Sequence, residues 1–100
     1  MSRRLIVRAE AEFDITEAAV WYEAREPGLG LQVTAEISAA IQRALQNPLG
    51  YLRLRKHPHV RRVLVARFPY RIFYIVRADA IVVFAVIHAA RHDRQWKRRL

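Results

Sequence analysis

A single change of apolar period, part-way along the chain, limits what it can fold into. Up to about residue 47 the apolar residues recur at intervals of three and four, and from residue 60 onward they alternate or run continuously. Ile15, Ala18, Ala19 and Tyr22 fall at i, i+3, i+4 and i+7, while Glu12, Thr16, Glu17 and Glu23 fall mostly on the other side, which predicts an amphipathic helix. Ile37, Ala40, Ile41, Ala44 and Leu45 repeat the spacing and predict a second helix from about Leu31 to Asn47. Pro27-Gly28-Leu29-Gly30 separates the two, because proline disfavours helical backbone in the residue before it and glycine permits a tight reversal. The first half therefore reads as a helical hairpin.

Leu5-Ile6-Val7 reads as a short strand lying inside a sheet. Tyr51 to His59 has neither a clean period nor an acid and reads as a basic loop, after Asn47-Pro48-Leu49-Gly50 ends the second helix. Val60–Phe68 and Tyr70–Arg77 alternate as strands do, with Pro69 marking the turn between them. Ala80–His88 is apolar on both faces, as expected of a strand in the middle of a sheet. Asp93–Arg99 reads as a short basic helix. The expected fold is α+β: one domain spanning residues 1–100, order β-α-α-β-β-β with a short C-terminal helix, the helical hairpin covering a mostly antiparallel four-stranded sheet.

Composition narrows the function. With 53% hydrophobic residues the chain can bury a core, and with no cysteine it has neither disulfides nor a thiol nucleophile, which suits a reducing cytoplasm. Met1 to Arg8 contains only a three-residue apolar run, too short for a secretory leader. The longest apolar stretch, Ala80–Ile87, falls short of the roughly 18 residues of a membrane span. The net charge of +9 is unevenly distributed: residues 1–36 hold four arginines against seven acids, and residues 37–100 hold fourteen bases against Asp79 and Asp93. Such a field attracts polyanions or an acidic protein.

Three groups of residues can carry chemistry. Arg53, Arg55, Lys56, Arg61, Arg62, Arg67, Arg71 and Arg77 form a run of bases without one acid, and a meander would set Arg61, Arg67, Arg71 and Arg77 on a common side. Guanidinium forks in such an array suit phosphate or carboxylate groups, whereas arginines that only keep a sheet face wet would normally be mixed with acids. His88 with Arg91 at the end of the last strand pairs an acid–base group with a cation, the minimum for RNA cleavage through the 2′-hydroxyl; a histidine hydrogen-bonded at a strand end is the plainer alternative. No carboxylate lies between Glu36 and Asp79 to serve as a general base from a strand. His57, His59, His88 and His92 have spacings that would serve a metal, but the surrounding arginines oppose a divalent cation, so neither metal nor cofactor is expected.

Ala11-x-x-Asp14-Ile15 with Trp21-Tyr22, then Asn47-Pro48-Leu49-Gly50, Arg67-Phe68-Pro69-Tyr70-Arg71-Ile72-Phe73-Tyr74 and Ala85-Val86-Ile87-His88-Ala89-Ala90-Arg91, followed by Trp96, together resemble the RelE/ParE toxin superfamily over nearly the whole chain. The resemblance implies the toxin half of a type II toxin–antitoxin pair, held inactive by an acidic cognate antitoxin. RelE-like members cut messenger RNA on the ribosome, and ParE-like members bind DNA gyrase. The Phe-Pro-Tyr and Val-x-His-x-x-Arg motifs lie closer to the ParE-like branch, and Ala89 stands where a nuclease has a tyrosine. The resemblance therefore implies gyrase inhibition without chemistry of its own, with a ribosome-dependent, metal-independent endoribonuclease as the alternative. Arg67, His88 and Arg91 would be its catalytic residues in the second case. Arg53, Arg55, Lys56, Arg61, Arg67, Arg71, Arg77, Arg91 and Trp96 are the candidates for contacting the target.

Overall fold

A computed structural model describes residues 3–100; Met1 and Ser2, the start of the leader reading, lie outside the described residues. The elements run β1 (Arg4–Val7), α1 (Ala9–Arg25), α2 (Leu29–Gln46), β2 (Leu52–Leu54), β3 (His57–Leu64), β4 (Tyr70–Val76), β5 (Ala80–His88) and α3 (Arg94–Lys97). The strands form one sheet in the order β1-β5-β4-β3-β2, antiparallel except where β1 runs parallel to β5. The sheet thus has five strands where four were expected, and β1 lies at its edge rather than inside it. The extra strand is β2. Its Leu52 and Leu54 alternate with Arg53, a period hidden by the surrounding charge, and a short, basic strand is the kind that sheets place at an edge. The register slips between Arg53 and Leu54, so Pro58 has no ladder partner on β2 and its missing N–H costs nothing.

The α1–α2 hairpin covers one face of the sheet. Ala11 and Ala18 of α1, Val33, Ile37, Ala40, Ile41 and Ala44 of α2, and Val63, Ile72, Tyr74, Ile81, Val83 and Val86 of the sheet form its main core. The Glu23 carboxylate ties the hairpin by accepting the N–H groups of Gly28 and Gly30 at 3.0 Å each. Gly28 has a φ of 92°, which disfavours a side chain there, and a Cβ on Gly30 would sit 2.8 Å from the carbonyl oxygen of Ala19. The opposite sheet face carries a smaller core of Val60, Phe73, Phe84, Ala85, Ile87 and Trp96, in which α3 supplies the covering ring.

The strand expected to reach Phe68 stops at Leu64, because the chain reverses through Arg67, whose φ of 71° is in the left-handed region. A bulge in β5 matters most for function. Phe73 pairs with Ala85 and Tyr74 with Val83, which leaves Phe84 as an extra residue and brings Phe84 and Ala85 to the same core. The bulge also changes which residues aim their backbone groups at the β1 side. The carbonyl of Val83 accepts the Arg8 N–H at 2.9 Å, yet beyond the bulge it is Phe84 and Val86 that face outward.

Candidate functional cleft

β1 ends opposite Val83, so the outer edge of β5 beyond that point has no strand beside it. A cleft of about 500 Å³ opens there, between α1, the end of β5 and the C-terminal segment. Phe13, Glu17, Val20 and Trp21 form the α1 wall, Val86, Ile87 and His88 the floor, and Tyr70, Arg91, Gln95 and Arg99 the remainder. Asp14 sits at its inner end with only 11% of its side chain exposed. Its carboxylate accepts the Val86 N–H at 2.9 Å and two N–H groups of Arg99 at 2.5 and 3.0 Å, and Arg99 also donates to the Phe84 carbonyl at 3.1 Å. An ion pair therefore satisfies the two β5 edge groups that a strand would otherwise pair. The hydrogen bond to Asp14 raises the pKa of Arg99 further above its ordinary value, against the opposing effect of burial.

The aromatic residues connect the cleft to the hairpin core. Trp21 and Tyr22 pack edge to face at 4.9 Å, Tyr22 lies 6.3 Å from Tyr70, and Tyr70 meets the His88 ring edge-on at 5.2 Å. Burial, then the neighbouring Tyr22, raises the Tyr70 phenol above its ordinary pKa, and Arg91 pulls it back. The Nδ1 atom of His88 accepts the Ala90 N–H at 3.0 Å, which places the proton of the neutral ring on Nε2.

Of the residues singled out from the sequence, His88 and Arg91 share the cleft, and the others are dispersed. Arg67 turns towards α2, where it meets Gln32 at 2.8 Å and Glu36 at 3.4 Å. Arg61 pairs with Tyr74 on the hairpin side and donates to the carbonyls of Leu49 and Tyr51 at 3.1 and 2.9 Å, holding the chain before β2. Arg71 faces the other side, where it meets Asp93 at 2.8 Å and the Arg91 carbonyl at 3.1 Å. The expected common side for Arg61, Arg67, Arg71 and Arg77 is therefore corrected: the register puts Arg61 and Arg71 on opposite faces, and Arg67 lies in a turn. Arg53, Arg55 and Lys56 are exposed around the β2–β3 reversal, and Arg77 is exposed just past β4. Trp96 is only 3% exposed and stacks on Phe73 at 4.8 Å, so its ring belongs to the core and not to a contact surface. Among the described residues no three His, Asp or Glu side chains gather as a metal site would need, and no helix is long and apolar enough to cross a membrane.

Sequence reasoning missed Asp14, Glu17, Tyr70 and Arg99 as parts of this cleft. Asp14 left a trace: it falls between Ala11 and Ala18 on the otherwise apolar face of α1, where an acid needs a partner. Its partner lies 85 residues away and left none.

The family model described as the ParE toxin of the type II toxin–antitoxin system parDE matches residues 5–93. The chain belongs to this ParE toxin family. It is the toxin component of a type II toxin–antitoxin system, on the ParE-like branch of the RelE/ParE superfamily. Comparison with curated protein sequences gave no significant match. Solved structures share the ParE fold. A chain from a chromosomal ParDE toxin–antitoxin system of P. aeruginosa superposes with a TM-score of 0.78 at 19% identity, covering 87% of this chain and 96% of that one. The isolated E. coli RelE toxin gives 0.67 at 20% identity, covering 99% and 100%. A chain of the RelB–RelE antitoxin–toxin complex of Methanococcus jannaschii gives 0.56 at 17% identity, covering 94% and 95%.

Proposed function

We propose that this ParE-family toxin arrests growth in the cytoplasm by binding DNA gyrase and blocking it, without chemistry of its own, and that an acidic antitoxin neutralises it. The observation that carries this reading is the separation of the residues a nuclease would need. Arg67 is engaged by α2, outside the cleft that holds His88 and Arg91. Asp14 is engaged by Arg99 and Val86, and the Nδ1 atom of His88 is taken up by the Ala90 N–H. Membership of the ParE-like branch, whose members bind DNA gyrase, supports gyrase as the target in this reading. The antitoxin reading is supported by charge, since a chain of net charge +9 attracts an acidic partner over long range, and by the exposed apolar residues of α1 that a partner can cover.

One observation favours the ribosome-dependent endoribonuclease instead: Tyr70, His88, Arg91 and Glu17 line one cleft. The two readings part on His88→Ala. For a gyrase inhibitor, adding the purified chain abolishes gyrase supercoiling, the variant stays toxic, and message ends in producing cells are unchanged. Ribosome-bound messages cut by the wild type, with cleavage falling about 10²–10⁴-fold in the variant, would transfer the chain to the nuclease branch.

A further inference from the structure

The sheet face turned away from the hairpin is covered only in part. Val63 packs in the hairpin core, so alternation turns Val60, Arg62 and Leu64 of β3 to the opposite side, where Leu52 of β2 joins them as the register partner of Arg62. On that side Trp96 of α3 stacks on Phe73 and closes the small core. Towards β2 the face stays open: Leu52, across the ladder from Arg62, and Leu64, two residues along it, are 53% and 58% exposed. Arg62 itself is half-buried, its Nε atom is shielded from water without an acceptor, and no ion pair joins it to a described residue. A cation so placed lacks the partner that buried charges ordinarily have. The surrounding chain supplies none, since no acid occurs between Glu36 and Asp79, and Asp93 is taken by Arg71 at 2.8 Å. At the same edge, where β3 runs on past the first residue of β2, a notch of about 290 Å³ is lined by Arg43, Tyr51, Leu52, Arg62, Val63 and Leu64. Two arginines and no acid border it.

We infer that this open face is the surface with which the toxin holds its target: an acidic segment of gyrase sets a carboxylate on Arg62 and apolar side chains on Leu52 and Leu64. The inference rests on the gyrase reading above and specifies which toxin surface makes the contact. A guanidinium without a counter-ion suits an oxyanion, which its planar fork can bind through two parallel hydrogen bonds. The flanking leucines select a protein over a nucleic acid, because a protein can bury them beside the ion pair and a phosphate backbone leaves them wet. Charge opposes a second copy of this chain, whose net charge is also +9. A half-buried cation with no partner weakens the free fold, as expected of a group retained for binding rather than for stability.

The test compares variants of the purified toxin as inhibitors of gyrase supercoiling. Arg62→Met keeps the apolar stem and removes the charge, and Leu64→Ser shortens an exposed side chain; each should raise the half-inhibiting concentration at least about tenfold. Arg4→Gln, on the far edge of the sheet, and Leu31→Ser, exposed on α2, should change it less than about twofold. The urea midpoint of the free toxin should be unchanged or raised in Arg62→Met, because the lost charge had no partner. A lowered midpoint would show that Arg62 serves the fold and would overturn the assignment of its charge to a partner. Inhibition by a wild type that both Arg62→Met and Leu64→Ser match overturns the face and leaves the gyrase reading standing. Binding of a single-stranded RNA oligonucleotide that is lost in Arg62→Met and kept in Arg4→Gln, or a toxin dimer that Leu64→Ser dissociates, overturns the acidic protein as occupant. A wild type without effect on gyrase removes the gyrase reading and this inference with it.

Discussion

Replacing Asp14 by alanine tests whether an ion pair really takes the place of a strand at the β5 edge. The carboxylate and the Arg99 guanidinium keep only 11% and 20% of their side-chain exposure, so water compensates little for a lost partner. Breaking a buried pair by removing one member costs about 3–5 kcal/mol, and partial solvation of Arg99 lowers this to ~2–3 kcal/mol here. Orphaning the Val86 N–H adds about 1–3 kcal/mol. Asp14→Ala should therefore cost ~3–6 kcal/mol in urea unfolding, and Arg99→Ala, which leaves Asp14 one backbone donor, ~2–3 kcal/mol. The double variant carries no unpaired charge and should cost ~2–4 kcal/mol, well short of the two single losses together. Single losses that add in the double variant to within about 0.5 kcal/mol would refute the reasoning, because uncoupled residues behave in that way.

Ile41, 5% exposed on the core face of α2, should lose about 2–4 kcal/mol on truncation to alanine, against less than about 0.5 for the exposed neighbour in Gln42→Ala; denaturant melts of the two variants check the face assignment. Trp96→Ala should cost about 3–5 kcal/mol and leave Phe73 open to water, seen as a lowered midpoint and increased binding of an apolar dye; an unchanged midpoint would put the ring on the surface. The hydrogen bond from Arg71 holds the Asp93 carboxyl below its ordinary 3.8. Its small contribution to stability is then present above that value and lost as pH falls through the depressed folded-state pKa. A carboxyl titration by NMR should show the depression, and Arg71→Gln should return Asp93 towards 3.8.

The hairpin and the central strand were legible because their signals are local. The spacing of Ile37, Ala40, Ile41 and Ala44 records one helix face, and the apolar run Ala80–Ile87 records burial on both sides of a strand. β2 was not legible, since an edge strand keeps one side in water and its three residues carry too little alternation to stand out from charge. The position of β1 was missed for a related reason. Its apolar run reflects packing against the hairpin core and says nothing about how many strands flank it.

The cleft was legible only by halves, and the reason is physical. His88 and Arg91 are three residues apart and could be read as a pair, but what shapes their surroundings comes from both ends of the chain: Phe13, Asp14 and Trp21 from α1, and Arg99 from the C-terminus. That assembly depends on the single extra residue Phe84. Without the bulge, strand alternation would aim the Phe84 and Val86 groups into the β4 ladder, and Asp14 and Arg99 would have nothing on β5 to hold. A sequence displays the residue types but not the parity of a strand, and here the parity decides which backbone groups face the cleft. The arginine run illustrates the same limit from the other side: eight bases without an acid look like one surface, yet alternation and one left-handed residue assign them to a loop clamp, a helix contact and opposite sheet faces. Their shared charge still acts at long range, where position within a few ångströms matters little, so the attraction for an acidic partner survives the dispersal while a common anion-binding array does not.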